Sequence, residues 1–274
     1  MLNKVPEITL FFWVIKVLCT TVGESAADYV NETIGFGLGN TTALMSGLLV
    51  VALVGQFRAR QYVPWLYWTC VVLISVVGTL ATDNLTTGLG VSLLVSTPAF
   101  AAALGLIFLV WFRTERTLSI HAITTRRREA FYWLVVLFTF ALGTAAGDLL
   151  TDRLSLTLIS AVVIFAGTLA VVFVAWKLFG LGAMTSFWVA YILTRPLGGS
   201  TGDYLSGATA DGGAGLGTLA TSLVFLGCIV ATVVYLTLTR RDRTEPREHH
   251  EKCPAIVAAA PLECRCEVLE AAAA

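Results

Sequence analysis

Charge is the scarcest property of this chain. Of its 274 residues only 13% are Asp, Glu, Lys or Arg, and 18 acids balance 18 bases. So neutral a sequence offers no basic surface for a nucleic-acid partner. With 57% hydrophobic residues it also has too little polar matter to cover a soluble domain. Histidine is nearly missing: His249 and His250 adjoin one another near the C-terminus, and His121 stands alone elsewhere. No His-Glu-x-x-His helix, no Gly-x-Ser-x-Gly turn and no phosphate-cradling Gly-x-x-x-x-Gly-Lys-Ser/Thr occurs. These gaps argue against an enzyme, and no cofactor is implied. Of six cysteines, Cys19, Cys70 and Cys228 lie in apolar stretches, where a free thiol behaves as a small hydrophobe. Cys253, Cys264 and Cys266 lie in a polar tail expected to face the reducing cytoplasm, so no disulfide framework follows.

What the chain does possess is apolar runs of membrane length. Eight can be read, near 8–27, 41–57, 63–82, 92–112, 131–147, 155–177, 183–202 and 217–238. Each is close to the ~20 residues that cross ~30 Å of hydrocarbon at 1.5 Å per residue. The first run follows Lys4 and ends near Ser25-Ala26-Ala27, as a signal peptide would. It is expected to be retained, because it is the first of four matching units.

Those units share one frame: an aromatic residue and Trp, nine residues, Gly, four residues, Asp, any residue, then Leu or Val. It recurs at Phe12-Trp13…Gly23…Asp28, Tyr67-Trp68…Gly78…Asp83, Tyr132-Trp133…Gly143…Asp148 and Phe187-Trp188…Gly198…Asp203. Each unit holds two helices, so every copy enters the membrane in the same direction. Lys and Arg gather at one set of helix ends, at 4, 58, 60, 113, 116, 126–128, 177 and from 240 onward, while Arg153 stands at the other. The positive-inside rule then places both termini in the cytoplasm. The expected fold is an all-α integral membrane protein of eight transmembrane helices, arranged as four parallel-oriented two-helix repeats. The repeats run over about 4–60, 61–120, 121–180 and 181–239 of a transmembrane domain, 1–239. A two-by-two arrangement and a pseudo-fourfold ring both fit. Residues 240–274 read as a disordered cytoplasmic tail.

The tryptophans are expected to form an inner-interface belt with Trp65, Trp111 and Trp176. The frame glycines have two roles open to them, close packing or local unwinding. The aspartates lie 15 residues beyond the tryptophans, roughly 22 Å along a helix. That depth is the outer quarter of the membrane, where an ionisable group normally faces a cavity or a partner. A cap or turn role is the alternative for each, but four like charges at one level are best retained around something positive. Asp28, Asp83, Asp148, Asp203 and Glu24, which follows the first frame glycine, are the candidate cation-binding residues. Lys16 and Arg195 enter the same zone in one repeat each and are the candidate charge-pairing residues, Arg195 with a motif Asp of another repeat. Hydroxyls at Thr20, Thr21, Ser25, Ser75, Thr79, Thr82, Thr144, Ser200 and Thr201 complete an all-oxygen donor set suited to hard cations. In the tail, His249, His250, Cys253, Cys264 and Cys266 are metal-ligand types without the spacing of a closed site.

The opening Lys4-Val-Pro-Glu-Ile-Thr-Leu-Phe-Phe-Trp13-Val-Ile-Lys16, with Thr20-Thr21-Val22-Gly23-Glu24 and Asp28, resembles the start of a bacterial family of multi-pass "membrane-anchored" proteins. The resemblance covers about 4–240. It implies a bacterial inner-membrane location and no activity, so function rests on the residues. They suggest a transporter or exporter of a small hard cation, divalent metals included, that uses an outward-side ring of carboxylates, with the bilayer and that cation as partners. The alternatives are a non-transporting anchor or sensor with structural aspartates, and an intramembrane hydrolase that needs two carboxyls within hydrogen-bond reach.

Overall fold

The computed structural model describes residues 3–242. Among them are eight α-helices and no strand: α1 Leu10–Asp28, α2 Leu38–Arg58, α3 Pro64–Asp83, α4 Leu93–Glu115, α5 Arg126–Leu154, α6 Leu158–Leu178, α7 Ala183–Ser206 and α8 Thr218–Thr239. Local chemistry sets several ends. Pro64 opens α3, where its missing N–H is no loss. Thr125 and Thr157 cap α5 and α6 by accepting from the N–H groups of Arg128 and Ser160. α4 and α8 stop where Arg116 and Arg240 turn left-handed, each at φ 55. After α1 and α3 the chain passes into single π-helical turns, Tyr29–Thr33 and Asn84–Gly88.

Seven of the eight helices are long and apolar enough to cross a membrane. α7 matches them with 24 residues, but it carries Arg195, Pro196, Gly198, Gly199 and Gly202. The odd helices form a closed ring, α1 against α3, α3 against α5, α5 against α7 and α7 against α1. Each even helix leans on the odd helix of the following repeat, α2 on α3, α4 on α5, α6 on α7, and α8 closes on α1. Burial follows: it reaches 56%, 61% and 50% along the apolar spans of α1, α3 and α5, against 11% for each of α2, α4 and α6. The even helices turn Val51, Leu106, Val171 and Leu223 outward, a surface suited to lipid rather than water.

The frame glycines hold the ring together. A Cβ on Gly23 would come within 2.5 Å of the Ser75 Cβ, and on Gly78 within 2.6 Å of the Phe140 Cβ. On Gly143 it would come within 2.6 Å of the Arg195 Cβ, and on Gly198 within 2.5 Å of the Thr20 Cβ. In every case the partner stands three residues before the neighbour's own frame glycine. This one contact, made four times around the ring, is what allows the backbones to approach. Thr21 adds a hydrogen bond to the carbonyl of Gly198 at 3.0 Å, and Thr82 one to Ala141 at 3.1 Å.

At the end where the odd helices begin, the aromatic pairs of the frame meet. Phe12, Tyr67, Trp68, Tyr132, Trp133 and Tyr191 are buried in one cluster, with the Tyr67 and Tyr132 hydroxyls 2.5 Å apart. The expected interface belt is therefore corrected. Trp68, Trp111, Trp133 and Trp188 are core residues, Trp13 is half-buried, and only Trp65 and Trp176 are exposed. Four equivalent helices bring their rings to one level, where they pack against each other. Cys19 and Cys70 are buried as expected of small hydrophobes, whereas Cys228 lies on the outer surface of α8.

The same end carries a polar clasp. Lys4 pairs with Glu129 at 2.6 Å and donates to the carbonyls of Gln56 and Phe57 at 3.4 and 3.3 Å. The Tyr62 hydroxyl donates to Asp242 at 2.6 Å, and the Glu7 N–H donates to the Asp242 carbonyl at 3.0 Å. Burial, reinforced by the Asp242 carboxylate, pushes the Tyr62 hydroxyl well above its ordinary range, so it remains a donor.

Candidate functional site

Beyond the frame glycines, towards the ends of the odd helices, the copies stop being alike. At the position after the glycine stand Glu24, Thr79, Thr144 and Gly199. Three before it stand Thr20, Ser75, Phe140 and Arg195. Arg195 is held on α7 directly before Pro196, whose ring removes the hydrogen bond to the Ile192 carbonyl. The missing side chain at Gly199 makes room for the guanidinium, since a Cβ there would lie 3.0 Å from Arg195 Nη1 and 3.7 Å from a Glu24 oxygen. Arg195 fills that room and is 1% exposed.

Its Nη2 donates to Glu24 Oε2 and lies against Thr79 Oγ1, and its Nη1 reaches the Thr20 carbonyl at 3.5 Å. Thr79 also donates to Glu24 Oε2 at 3.3 Å. One guanidinium thus ties together α1, α3 and α7. The sequence expectation paired Arg195 with a motif aspartate; its partner is Glu24 instead. The reason is level. Glu24 stands one helical turn closer to Arg195 than the motif aspartates do.

The acids gather on one side. Glu24, Asp28 and Asp203 each offer an oxygen within 4.8 Å of the others, all three half-buried. A small recess beside Arg195 is lined by Glu24, Thr144, Asp148, Ser200 and Asp203 among others. Asp83, half-buried at the end of α3, belongs to neither group. The expected ring of carboxylates, the four aspartates with Glu24, is therefore lopsided, drawn toward the contact of α1 with α7.

Lys16 departs further from expectation. Among the described residues it makes no salt bridge, and its ammonium has no hydrogen-bond partner. Neither does it snorkel, being 1% exposed; its Nζ sits over the rings of Phe140 and Tyr191. Among the described residues it pairs with no acid, and Glu24 on the same helix is held by Arg195. The hydroxyls divide as well. Thr144 and Ser200 line the recess and Thr79 touches Glu24, whereas Thr20, Thr21, Ser25, Thr82 and Thr201 bond to helix carbonyls. The tail candidates His249, His250, Cys253, Cys264 and Cys266 lie outside the described residues.

Chemically, three ionised carboxylates so close together repel, and either a shared proton or a positive charge among them relieves it. Their separation suits a hard cation whose oxygen ligands stand at about 2.3–2.6 Å. Arg195 makes a direct charge-assisted contact to Glu24. Sequence reasoning missed the Lys4–Glu129 and Tyr62–Asp242 contacts. It took Lys4 for one of the basic charges at the helix ends, and nothing local in the sequence marks either pair.

The fold and the site together define a class: a helical protein of membrane composition, built from four copies of a two-helix unit around a charged centre. All four copies match the family described as Repeat of Unknown Function (DUF347), over residues 11–62, 66–117, 131–180 and 186–242, and the chain belongs to that family. No curated protein and no solved structure matches the chain.

Proposed function

We propose that this chain is a bacterial inner-membrane transporter or exporter of a small hard cation, with all eight helices spanning the bilayer and both termini in the cytoplasm. The observation that carries this reading is the convergence of Glu24, Asp28 and Asp203 within 4.8 Å, with Glu24 held at the same time by Arg195. A cation entering from the acidic side competes with Arg195 for Glu24. When it wins, Glu24 joins Asp28 and Asp203 as a ligand, and Arg195 keeps Thr79 and the Thr20 carbonyl. The exchange takes place beside Pro196, where α7 lacks one backbone bond and yields most easily. The concentration of Lys and Arg at the opposite helix ends supports the orientation.

Flux of Mn²⁺, Ca²⁺ or Na⁺ into proteoliposomes tests it. Glu24→Gln, Asp28→Asn and Asp203→Asn should each reduce cation-dependent flux at least about tenfold, the scale of losing one charged ligand worth about 1.5–3 kcal/mol. Asp148→Asn should do less and Asp83→Asn least. Undiminished flux in the Asp28→Asn/Asp203→Asn double variant would sink the proposal.

One observation favours the second reading, a non-transporting membrane module. Asp28 and Asp83 are the last residues of α1 and α3, directly before the π-helical turns. If the aspartates serve those turns alone, the Asn variants will lower stability and change no ion response.

A further inference from the structure

Lys16 is a buried lysine with an unusual set of neighbours. Its Nζ lies 3.9 Å from the centre of the Phe140 ring and 4.1 Å from that of Tyr191. Phe140 belongs to α5, and α5 is the helix that faces α1 across the ring of odd helices, because α1 packs on α3 and α7. A side chain from α1 that reaches an α5 ring therefore crosses the centre. Its level is also defined. Lys16 stands eight residues before Glu24, roughly 12 Å along the helix, between the acidic recess and the aromatic cluster around Phe12 and Tyr67.

The chemistry of the place is that of an ammonium receptor. Two ring faces on one amine nitrogen are an arrangement by which proteins bind organic ammonium groups. The cage is built from two departures of the repeats. Phe140 stands where the fourth copy has Arg195, and Tyr191 stands where the first copy has Lys16 itself. The nearest acid on α1, Glu24, is engaged by Arg195 and does not draw the amine away.

We propose that the Phe140–Tyr191 pair is a second cation station at the centre of the ring, selective for a primary alkylammonium group, and that Lys16 fills it as a tethered plug. That the plug closes a passage rests on the transport reading above; the cage as a binding site does not.

Lys16→Ala removes the outer three carbons and the ammonium of the side chain, which leaves a space the shape of n-propylammonium. The purified variant should melt below wild type. n-Propylammonium chloride should raise its midpoint saturably, with an apparent affinity at least about tenfold above any effect on wild type. n-Propanol and sodium chloride should not raise it. Tyr191→Phe, which keeps a ring, should preserve the rescue in the Lys16→Ala background, and Phe140→Leu should abolish it. Lys16→Met fills the space with a neutral stem and should show no rescue. Equal shifts in wild type and Lys16→Ala overturn the cage, as does rescue by the alcohol or by sodium chloride. Should Lys16→Ala fail to fold alone, recovery of monodisperse protein with n-propylammonium but not n-propanol supports the cage, and failure of both overturns it. In vesicles, Lys16→Ala should leak methylammonium about tenfold faster than wild type. Rescue without a leak overturns the plug. Loss of the transport reading through the acidic variants would leave the rescue result standing.

Discussion

Arg195 serves three of the four repeats with one guanidinium, and its geometry makes lysine a poor substitute. A single ammonium cannot address Glu24, Thr79 and the Thr20 carbonyl from a fixed plane. Arg195→Lys should therefore lower the melting midpoint in detergent although the charge is kept. Breaking the pair from either side leaves a charge without its partner. The single variants Glu24→Gln and Arg195→Met should each destabilise, and the double variant should cost less than their sum by about 1–3 kcal/mol. Additive effects would show that the pair contributes no coupling. Both residues were legible in the sequence because they break the copies' agreement at their positions. Their pairing was not, since spacing along one helix says nothing of level between two, and Arg195 was expected to reach an aspartate. Lys16 was misjudged for a related reason: its neighbours Phe140 and Tyr191 come from helices more than a hundred residues away in the chain.

At the level of helices, two sets of glycines make opposite predictions. The frame glycines Gly23, Gly78, Gly143 and Gly198 lie against neighbouring backbones. Gly78→Ala or Gly143→Ala should lower stability by about 1–3 kcal/mol through overpacking. Gly47, Gly105, Gly167 and Gly227, in the middle of the outer helices, have nothing within 4 Å of an added Cβ. Alanine there should be neutral or stabilise by up to about 1 kcal/mol, through helix propensity. A thermal midpoint for each of the six variants checks the division. The existence and order of the helices were readable from apolar runs. Their ends were less so: α5 runs over Arg126–Leu154 against an expected 131–147. The apolar window could not see those extra turns. Thr125 caps the helix among arginines, and the far end carries Asp148, which lines the recess, and Asp152 and Arg153, which stand exposed.

Across residues 3–242 the helices form a ring whose first and last members meet. α8 packs on α1, Ser222 bonds Ser25 at 2.8 Å, and Glu7 bonds Asp242. A chain closed in this way has no obligatory starting point. Joining residues 242 and 3 by a short flexible linker and opening the exposed loop at Gly180–Leu181 should give a permutant with native helix content and a single size-exclusion peak. Aggregation of that permutant would argue that the order of the repeats matters to folding. Four copies were legible from the frame, and with them the inward face of each odd helix. What the frame did not reveal is that the second helix of each copy leaves its own partner to cover the next one, since both arrangements bury the same residues.

The contact between Arg195 and Glu24 has a consequence for symmetry. The arginine stands three residues before one frame glycine and the glutamate one residue after another, so four identical copies could hold four such pairs, each arginine meeting the next copy's glutamate. This chain carries the pair at the seam of its fourth and first repeats, with Thr79, Thr144 and Gly199 where the other copies would need a glutamate. One seam of the four is thereby marked, and a molecule whose scaffold is fourfold gains a distinct front and back.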